Sequence, residues 1–216
     1  MKSLDQRVFD HFCMKEGNQH IASQNALKGI RKIICRYHVT KVLELGIGIG
    51  TIPYFLHQLA LGKKLKIQYT GTEGNDYCIQ QFTANLPPAH DHFSFRHYSD
   101  LSAVPKEKYD LIIIDGSDNH ISQLYEYCNS KTILFVEGDR KKQRELIMEI
   151  FNKNGVINCY HAISNQKNKP NSPFAANKHV GGYTVFFFNP SFEKKLFRLY
   201  NKVLTALKYR IRPILN

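Results

Sequence analysis

The sequence predicts an α/β fold, in which strands and helices alternate along a chain of 216 residues. Short apolar runs recur along the chain, and most of them end in an acidic residue. The segments between these runs place apolar residues at helical spacing. A glycine-rich loop follows the first run directly, which is where such folds turn from strand to helix. The chain is long enough for one domain of this kind with modest extensions.

The glycine loop is the strongest local signal. Residues 41–45 have the pattern of a buried strand, Gly46, Gly48 and Gly50 then occupy every second position, and a helical pattern follows over residues 51–61. A strand, a glycine loop and a helix bring backbone close to a nucleotide-like ligand. The G-x-G-x-G spacing differs from the G-x-G-x-x-G of dinucleotide-binding folds, which disfavours an NAD-dependent oxidoreductase.

Polar residues end the later strands as well. The second predicted strand ends in Glu73, 27 residues after Gly46, and a carboxylate there can accept two hydrogen bonds from a ribose diol. The third predicted strand, residues 93–98, is followed by Ser99 and Asp100. The fourth, in residues 109–116, ends at Asp115, and the fifth, in residues 131–138, ends at Glu137. Because ligands bind beyond the carboxyl ends of parallel strands, these residues predict one shared crevice.

With Glu44 two residues before Gly46, the loop resembles motif I of the class I S-adenosylmethionine (SAM)-dependent methyltransferases. The resemblance extends over residues 22–189. It implies a three-layer α/β sandwich with a mostly parallel seven-stranded sheet, completed by an antiparallel pair of strands at residues 155–163 and 182–188. It also implies SAM as the cofactor and methyl transfer as the reaction.

The resemblance also implies the cofactor contacts. The glycine loop would pack against the amino-acid end of SAM, Glu73 would hold the ribose, and Ser99 or Asp100 would lie near the adenine amino group. The predicted cofactor-binding residues are therefore Glu44, Gly46, Gly48, Gly50, Glu73, Ser99, Asp100 and Asp115.

His120 is the predicted catalytic base, and Asp115 is the second catalytic candidate. Methyl transfer to a hydroxyl is an in-line displacement that needs an aligned nucleophile and a base, and histidine titrates in a suitable range. His161 and His179 are rivals for this role. The structural alternative is that His120 only caps the helix predicted over residues 120–129.

The end of the fourth strand is similar to that of the catechol and caffeoyl-CoA type O-methyltransferases, in which acids at strand ends hold a divalent cation. Asp115, Glu137 and Asp139 could supply oxygen ligands. The Asp-Asn pair of those enzymes is missing, however, and Arg140 would compete for the carboxylates. The sequence therefore predicts a salt bridge and no metal. The basic run at residues 140–144 is a candidate for holding an anionic group of the acceptor.

The positive charge is concentrated in the last third of the chain. Residues 1–137 carry 15 Lys and Arg and 14 Asp and Glu. Residues 138–216 carry 15 Lys and Arg but only 4 Asp and Glu, so this segment holds +11 of the chain's formal net charge of +12. This asymmetry predicts an anionic partner, which could be an anionic acceptor, nucleic acid or an acidic membrane surface. A solvated basic face is the alternative.

The spacing of the cysteines and the hydropathy of the chain argue against several classes of protein. The five cysteines are widely spaced and none forms C-x-x-C, so neither a zinc site nor a disulfide framework is indicated. Neither an apolar leader nor a run long enough to span a bilayer is visible. A cytoplasmic protein is therefore expected.

The SAM-binding methyltransferase domain is predicted to span residues 1–189, of which residues 1–21 are an N-terminal extension. Residues 190–216 are predicted to form a basic amphipathic helix. The apolar stripe of this helix consists of Phe192, Leu196, Leu199, Val203, Ala206 and Leu207. Cations interleave with the stripe, as in helices that lie on the inner face of a membrane. Docking of the stripe on the domain, or on a second subunit of a homo-oligomer, is the other interpretation.

The sequence thus predicts a SAM-dependent methyltransferase that methylates an oxygen of a small-molecule or glycan-like acceptor. An RNA methyltransferase is one alternative because of the basic third, although no RNA-binding module is evident. A non-catalytic SAM-fold binding protein is the other.

Overall fold

The computed structural model of the chain describes residues 2–88, 90–138, 140–152 and 157–215. The helices within these ranges are α1 (Leu4–Cys13), α2 (Gln24–Tyr37), α3 (Thr51–Lys63), α4 (Asp76–Asn85), α5 (Lys141–Asn152) and α6 (Phe192–Ile211). The strands are β1 (Lys41–Leu45), β2 (Ile67–Thr72), β3 (Phe93–Tyr98), β4 (Leu111–Ile114), β5 (Ile133–Glu137), β6 (Ile157–Ala162) and β7 (Tyr183–Phe188).

The seven strands form a single sheet in the order β3-β2-β1-β4-β5-β7-β6. Strands β1 to β5 pair in parallel, and β7 is antiparallel to both β5 and β6. The predicted α/β sandwich with a mostly parallel seven-stranded sheet is confirmed. The predicted strand over residues 155–163 is found as β6, and its first two residues lie outside the described ranges.

The register of the central strands positions the candidate site. Leu45 pairs with Thr72 on one side and with Ile114 on the other, so β1, β2 and β4 end at the same level. The chain order reverses at this point, because β1 is followed in space by β4. Ligand crevices form at such a reversal, beyond the carboxyl ends of the strands.

Apolar layers cover both faces of the sheet. Helices α1, α2 and α3 bury residues such as Phe12, Leu27 and Phe55 against one face. The segment after β4 and helix α5 bury Leu124 and Ile147 against the other. Because β1, β4 and β5 are covered on both faces, their residues are apolar on both sides, as expected for central parallel strands.

The segment after Asp115 differs from the prediction. The sequence predicts a helix over residues 120–129, and the structure shows a 3₁₀-helix over Ile121–Tyr127. Its buried residues are Ile121, Leu124 and Tyr127. They recur every third residue, which places all three on one side of a helix with three residues per turn.

Helix α6 packs against β6 through a face that differs from the predicted apolar stripe. The ring of Phe197 lies 5.9 Å from that of Tyr37 and 5.8 Å from that of Tyr160. Thr205 donates a hydrogen bond to the carbonyl of His161 at 2.7 Å, and Lys208 donates one to the carbonyl of Ile163 at 2.7 Å. Polar side chains thus fix this helix to the edge of the sheet. The domain boundary at residue 190 stays a prediction.

None of the helices in the described ranges has the length and the apolar character that crossing a membrane requires.

Candidate functional site

The glycine loop after β1 has a backbone that side chains would disrupt. Gly46, Gly48 and Gly50 have φ values of 88°, 57° and 94°. A Cβ on Gly46 would lie 2.5 Å from the Cα of Gly116, and one on Gly48 would lie 2.3 Å from the carbonyl oxygen of His20. The first glycine therefore lets the ends of β1 and β4 approach each other, and the second lets the N-terminal segment cross the loop.

Glu73 is bound to the glycine loop. Its carboxylate accepts a hydrogen bond from the Gly48 N–H at 2.9 Å and another from the Asn75 N–H at 3.0 Å. These two bonds hold the carboxylate at the mouth of the loop, where it lines a crevice. Because a carboxylate has about four lone-pair sites, acceptor capacity remains for a ligand.

The crevice at the carboxyl ends of β1, β2 and β4 has a volume of about 740 Å³. Its floor is made by Gly46, Gly48, Asp115 and Glu137. Its walls come from two segments far apart in the sequence, namely residues 19–23 and residues 168–181, and include Gln19, His20, Ile21, Ser23, Asn168, Pro173, Phe174, Ala175, Lys178, His179 and Gly181. Its size is in the range of small-molecule and cofactor sites.

Two acidic side chains of the crevice, Asp115 and Glu137, lie beside each other, and Asp115 pairs with an arginine. Arg140 donates hydrogen bonds to the backbone carbonyl of Asp115 and, at 3.1 Å, to its carboxylate, as the predicted salt bridge requires. Glu137 accepts a hydrogen bond from the Ser23 N–H at 3.2 Å. Burial raises the pKa of Asp115 well above its usual range, and the neighbouring negative charge of Glu137 adds to this, whereas Arg140 opposes it. The floor thus carries two carboxyl groups that a positively charged ligand would stabilise in their ionised form.

A fourth carboxyl group, that of Glu44, lies beneath the loop. Glu44 is fully buried, and the hydroxyl of Tyr69 donates a hydrogen bond to it. Burial raises the pKa of Glu44 well above its usual range, the Tyr69 hydrogen bond opposes this, and the charges of Asp115 and Glu73 add to it. The second carboxylate oxygen of Glu44 has no hydrogen-bond partner among the described residues.

The structure brings together five of the eight predicted cofactor-binding residues. Gly46, Gly48, Glu73 and Asp115 line the crevice, and Glu44 lies directly under the loop. Gly50 faces Phe82 of α4 and directly precedes α3. The cofactor contacts of all eight residues stay predictions.

Ser99, Asp100 and His120 are not among the side chains that line the crevice. Asp100 accepts a hydrogen bond from the Ser102 N–H at 2.8 Å and caps a short 3₁₀-helix. The Nδ1 atom of His120 lies 3.6 Å from the carboxylate of Asp100 and 3.7 Å from that of Asp118. This cluster places His120 beside two acids, and its catalytic role stays a prediction.

The walls of the crevice were not predicted from the sequence. The long loop between β6 and β7 is held over the site by α1, since Lys169 pairs with Asp10 at 2.8 Å and the ring of Phe174 stacks on Phe9 at 6.4 Å. The predicted N-terminal extension, residues 1–21, therefore supports the wall and also contributes to it through His20. No local pattern in the sequence indicates such pairings.

A second cavity of about 900 Å³ adjoins the crevice. Lys178, His179 and Gly181 line both spaces, so they form the shared wall. The second cavity lies between α5, the β6–β7 pair and the end of α6, and its basic side chains are Arg144, Lys178, His161, His179 and Arg212. One acid, Glu145, lines it as well. The predicted basic run thus contributes Arg144 to this cavity and Arg140 to the crevice.

Among the described residues, no group of three or more His, Cys, Asp or Glu side chains is placed to hold a metal ion. Asp139, one of the three acids considered as ligands, lies outside those residues.

No protein-family model matches the chain, and no curated protein matches it. Many solved structures do. An O-methyltransferase from Bacillus cereus, in complex with SAH, superposes with a TM-score of 0.58 at 12% identity, covering 88% of this chain and 92% of that chain. A Staphylococcus aureus protein assigned as a caffeoyl-CoA O-methyltransferase superposes with a TM-score of 0.57 at 16% identity. The match covers 88% of this chain and 93% of that chain. The O-methyltransferase TomG from Streptomyces achromogenes is involved in tomaymycin synthesis, and its structure is a complex with SAM. It superposes with a TM-score of 0.54 at 11% identity, covering 88% of this chain and 91% of that chain. The class I methyltransferase fold is confirmed.

Proposed function

We propose that this chain is a SAM-dependent methyltransferase that methylates an oxygen of a small-molecule or glycan-like acceptor carrying negative charge. The observation that carries the proposal is the crevice, which combines a positive-φ glycine loop with the carboxyl groups of Glu73, Asp115 and Glu137. SAM carries an ammonium and a sulfonium, and the carboxyl groups that line the crevice favour both positive charges. The pyrophosphate of NAD would meet the same acids at a cost.

The chain's own residues would hold SAM in three places. Glu73 has free acceptor capacity for the ribose diol, and the loop around Gly48 offers backbone close to the ligand. Asp115 and Glu137 face the cationic end. When bound, SAM would supply a methyl group on a sulfonium, whose carbon an aligned acceptor oxygen would attack in line, with S-adenosylhomocysteine as the leaving thioether.

His179 is our proposed general base, in place of His120. Its side chain lines both the crevice and the second cavity, so it stands where donor and acceptor would meet. Partial burial lowers the pKa of His179, and the charges of Arg212 and Lys167 lower it further. The imidazole is therefore neutral at neutral pH and can take the proton of an acceptor hydroxyl.

The second cavity is our proposed acceptor site. Its basic side chains outnumber its single acid, and Lys178 and Arg212 are among them. A carboxylate or phosphate on the acceptor would be held by these groups through charge-assisted hydrogen bonds. The O-methyltransferases among the similar structures support oxygen as the atom that is methylated.

The test uses methyl-labelled SAM with matched acceptors, namely catechol and its carboxylated analogue, and a hexose and its phosphate. We expect label transfer to the anionic member of a pair, and a loss of about a hundredfold or more in the His179→Gln variant. Equal transfer to the neutral member would contradict the anionic acceptor. SAM binding without transfer to any acceptor would favour the non-catalytic alternative.

A further inference from the structure

Helix α6 exposes a row of large apolar side chains to solvent. We call Leu196, Leu199, Val203 and Leu207 the tail stripe; they are 50%, 56%, 51% and 46% exposed. Their spacing of three and four residues places them on one face of the helix. Contiguous exposed apolar patches on a soluble domain mark interaction sites.

The tail stripe lies on the side of α6 that faces away from the domain. The helix is already attached through Phe197, Asn201, Thr205 and Lys208, and the side chain of Asn201 is buried at 7% exposure. These residues alternate along the helix with those of the stripe. The sheet therefore cannot cover the tail stripe while the observed contacts persist, and the stripe is available to an external partner.

The charges beside the tail stripe indicate the chemistry of that partner. Lys195, Lys202 and Arg210 are exposed on the same helix, and Lys195 and Lys202 directly precede Leu196 and Val203. The single acidic residue of α6, Glu193, is paired with Arg36 at 3.1 Å. The exposed side of α6 thus combines apolar side chains with positive charge that no acidic residue of α6 balances.

We propose that the tail stripe docks on an anionic lipid surface. The apolar side chains would enter the boundary between headgroups and acyl chains, and the cations would lie at the level of the phosphates. A second copy of the chain fits less well, because it would bring the same cations together. Nucleic acid also fits less well, because its phosphates are bound by cations and do not require a row of apolar side chains. The proposal does not depend on the enzymatic activity.

The test is co-sedimentation of the full chain with vesicles of phosphatidylcholine alone, or of phosphatidylcholine with phosphatidylglycerol. We expect binding to the second kind only, and weaker binding as salt rises from about 0.1 M to about 1 M. Replacing Leu196, Leu199 and Val203 together by Gln should weaken binding at least tenfold. The double variant Lys195→Gln/Lys202→Gln should weaken it about fivefold for each cation.

Matched controls come from exposed residues outside α6. Met14 and Leu61 are 78% and 52% exposed, so Met14→Gln/Leu61→Gln removes apolar surface elsewhere. Lys63 and Lys66 are exposed, so Lys63→Gln/Lys66→Gln removes equal charge elsewhere. Both controls should bind vesicles as the wild type does.

Four results would overturn the proposal. The first is a wild-type chain that does not bind the anionic vesicles at low salt. The second is a triple Gln variant that binds them as well as the wild type does. The third is a wild-type dimer in light scattering that the triple variant converts to a monomer, since the tail stripe would then be an interface between copies. RNA binding that needs Lys195 and Lys202 but tolerates the triple variant would support a nucleic-acid surface instead.

Discussion

The hydroxyl of Tyr69 on β2 donates a hydrogen bond to the carboxyl of Glu44 on β1, and both side chains are sealed beneath the glycine loop. The bond joins two neighbouring strands at the level where the crevice opens. Tyr69→Phe would leave a buried carboxyl oxygen without a partner. We expect it to lower the free energy of unfolding by about 1–3 kcal/mol in urea denaturation. Tyr200→Phe, at a tyrosine that is 61% exposed, is the control and should change little.

The raised pKa of Glu44 predicts how stability depends on pH. Between the unfolded value, near 4.5, and the higher folded value, the folded chain holds a proton that the unfolded chain has released. The free energy of unfolding therefore falls as the pH rises through this window, by at most about 1.4 kcal/mol per pH unit for this group. Glu44→Gln removes the titration but keeps an oxygen for Tyr69. Urea denaturation from about pH 5 to about pH 8 should show a shallower fall in the variant. Equal slopes would mean that Glu44 has an ordinary pKa.

The loop geometry predicts opposite effects for two glycine substitutions. Gly48→Ala forces a Cβ to within 2.3 Å of the His20 carbonyl at a φ of 57°, so it should destabilise the chain by more than about 1 kcal/mol and weaken SAM binding. Gly62→Ala is the control, because nothing lies within 4 Å of its Cβ position near the end of α3. That variant should gain about 0.5–1 kcal/mol. Thermal denaturation of both variants measures the contrast, and a Gly48→Ala variant as stable as the wild type would contradict it.

Glu73 is expected to hold the ribose. Glu73→Ala should weaken SAM binding by about 1.5–3 kcal/mol, the scale for a hydrogen bond to a charged group. Glu73→Gln keeps an acceptor for the Gly48 N–H and should lose less. Glu149→Ala, at an exposed acid on α5, serves as the control. Unchanged SAM affinity in a folded Glu73→Ala variant would place the ribose contact elsewhere.

The central strands and their ends were predictable because local patterns encode them. An apolar run that ends in an acid gives the position of a strand end, and parallel pairing then brings Gly46, Glu73 and Asp115 to one edge. The path of the chain after a strand is not encoded in this way. After β3 the chain turns so that Asp100 caps a 3₁₀-helix, and this turn carries it to His120. The sequence placed both residues at the correct end of the sheet without revealing this neighbourhood.

Two other features depend on contacts between distant segments. Lys169 and Asp10, 159 residues apart, fix the crevice wall, and nothing local in either segment indicates the pairing. Helix α6 shows a second limit of pattern analysis. Its docked face includes Thr205 and Lys208, which hydrogen-bond to backbone carbonyls of the sheet edge. Periodicity identified the most apolar face, and the structure exposes that face.

The central claim is that the crevice beside the glycine loop binds SAM. Isothermal titration calorimetry of the full chain with SAM, S-adenosylhomocysteine, NAD and NADP tests it most directly. The acidic floor around Asp115 and Glu137 predicts that SAM and S-adenosylhomocysteine bind, because a pyrophosphate would be repelled where a cation is attracted. We expect NAD and NADP to bind at least a hundredfold more weakly, which corresponds to about 2.7 kcal/mol. Tight binding of NAD or NADP without affinity for SAM would contradict the account.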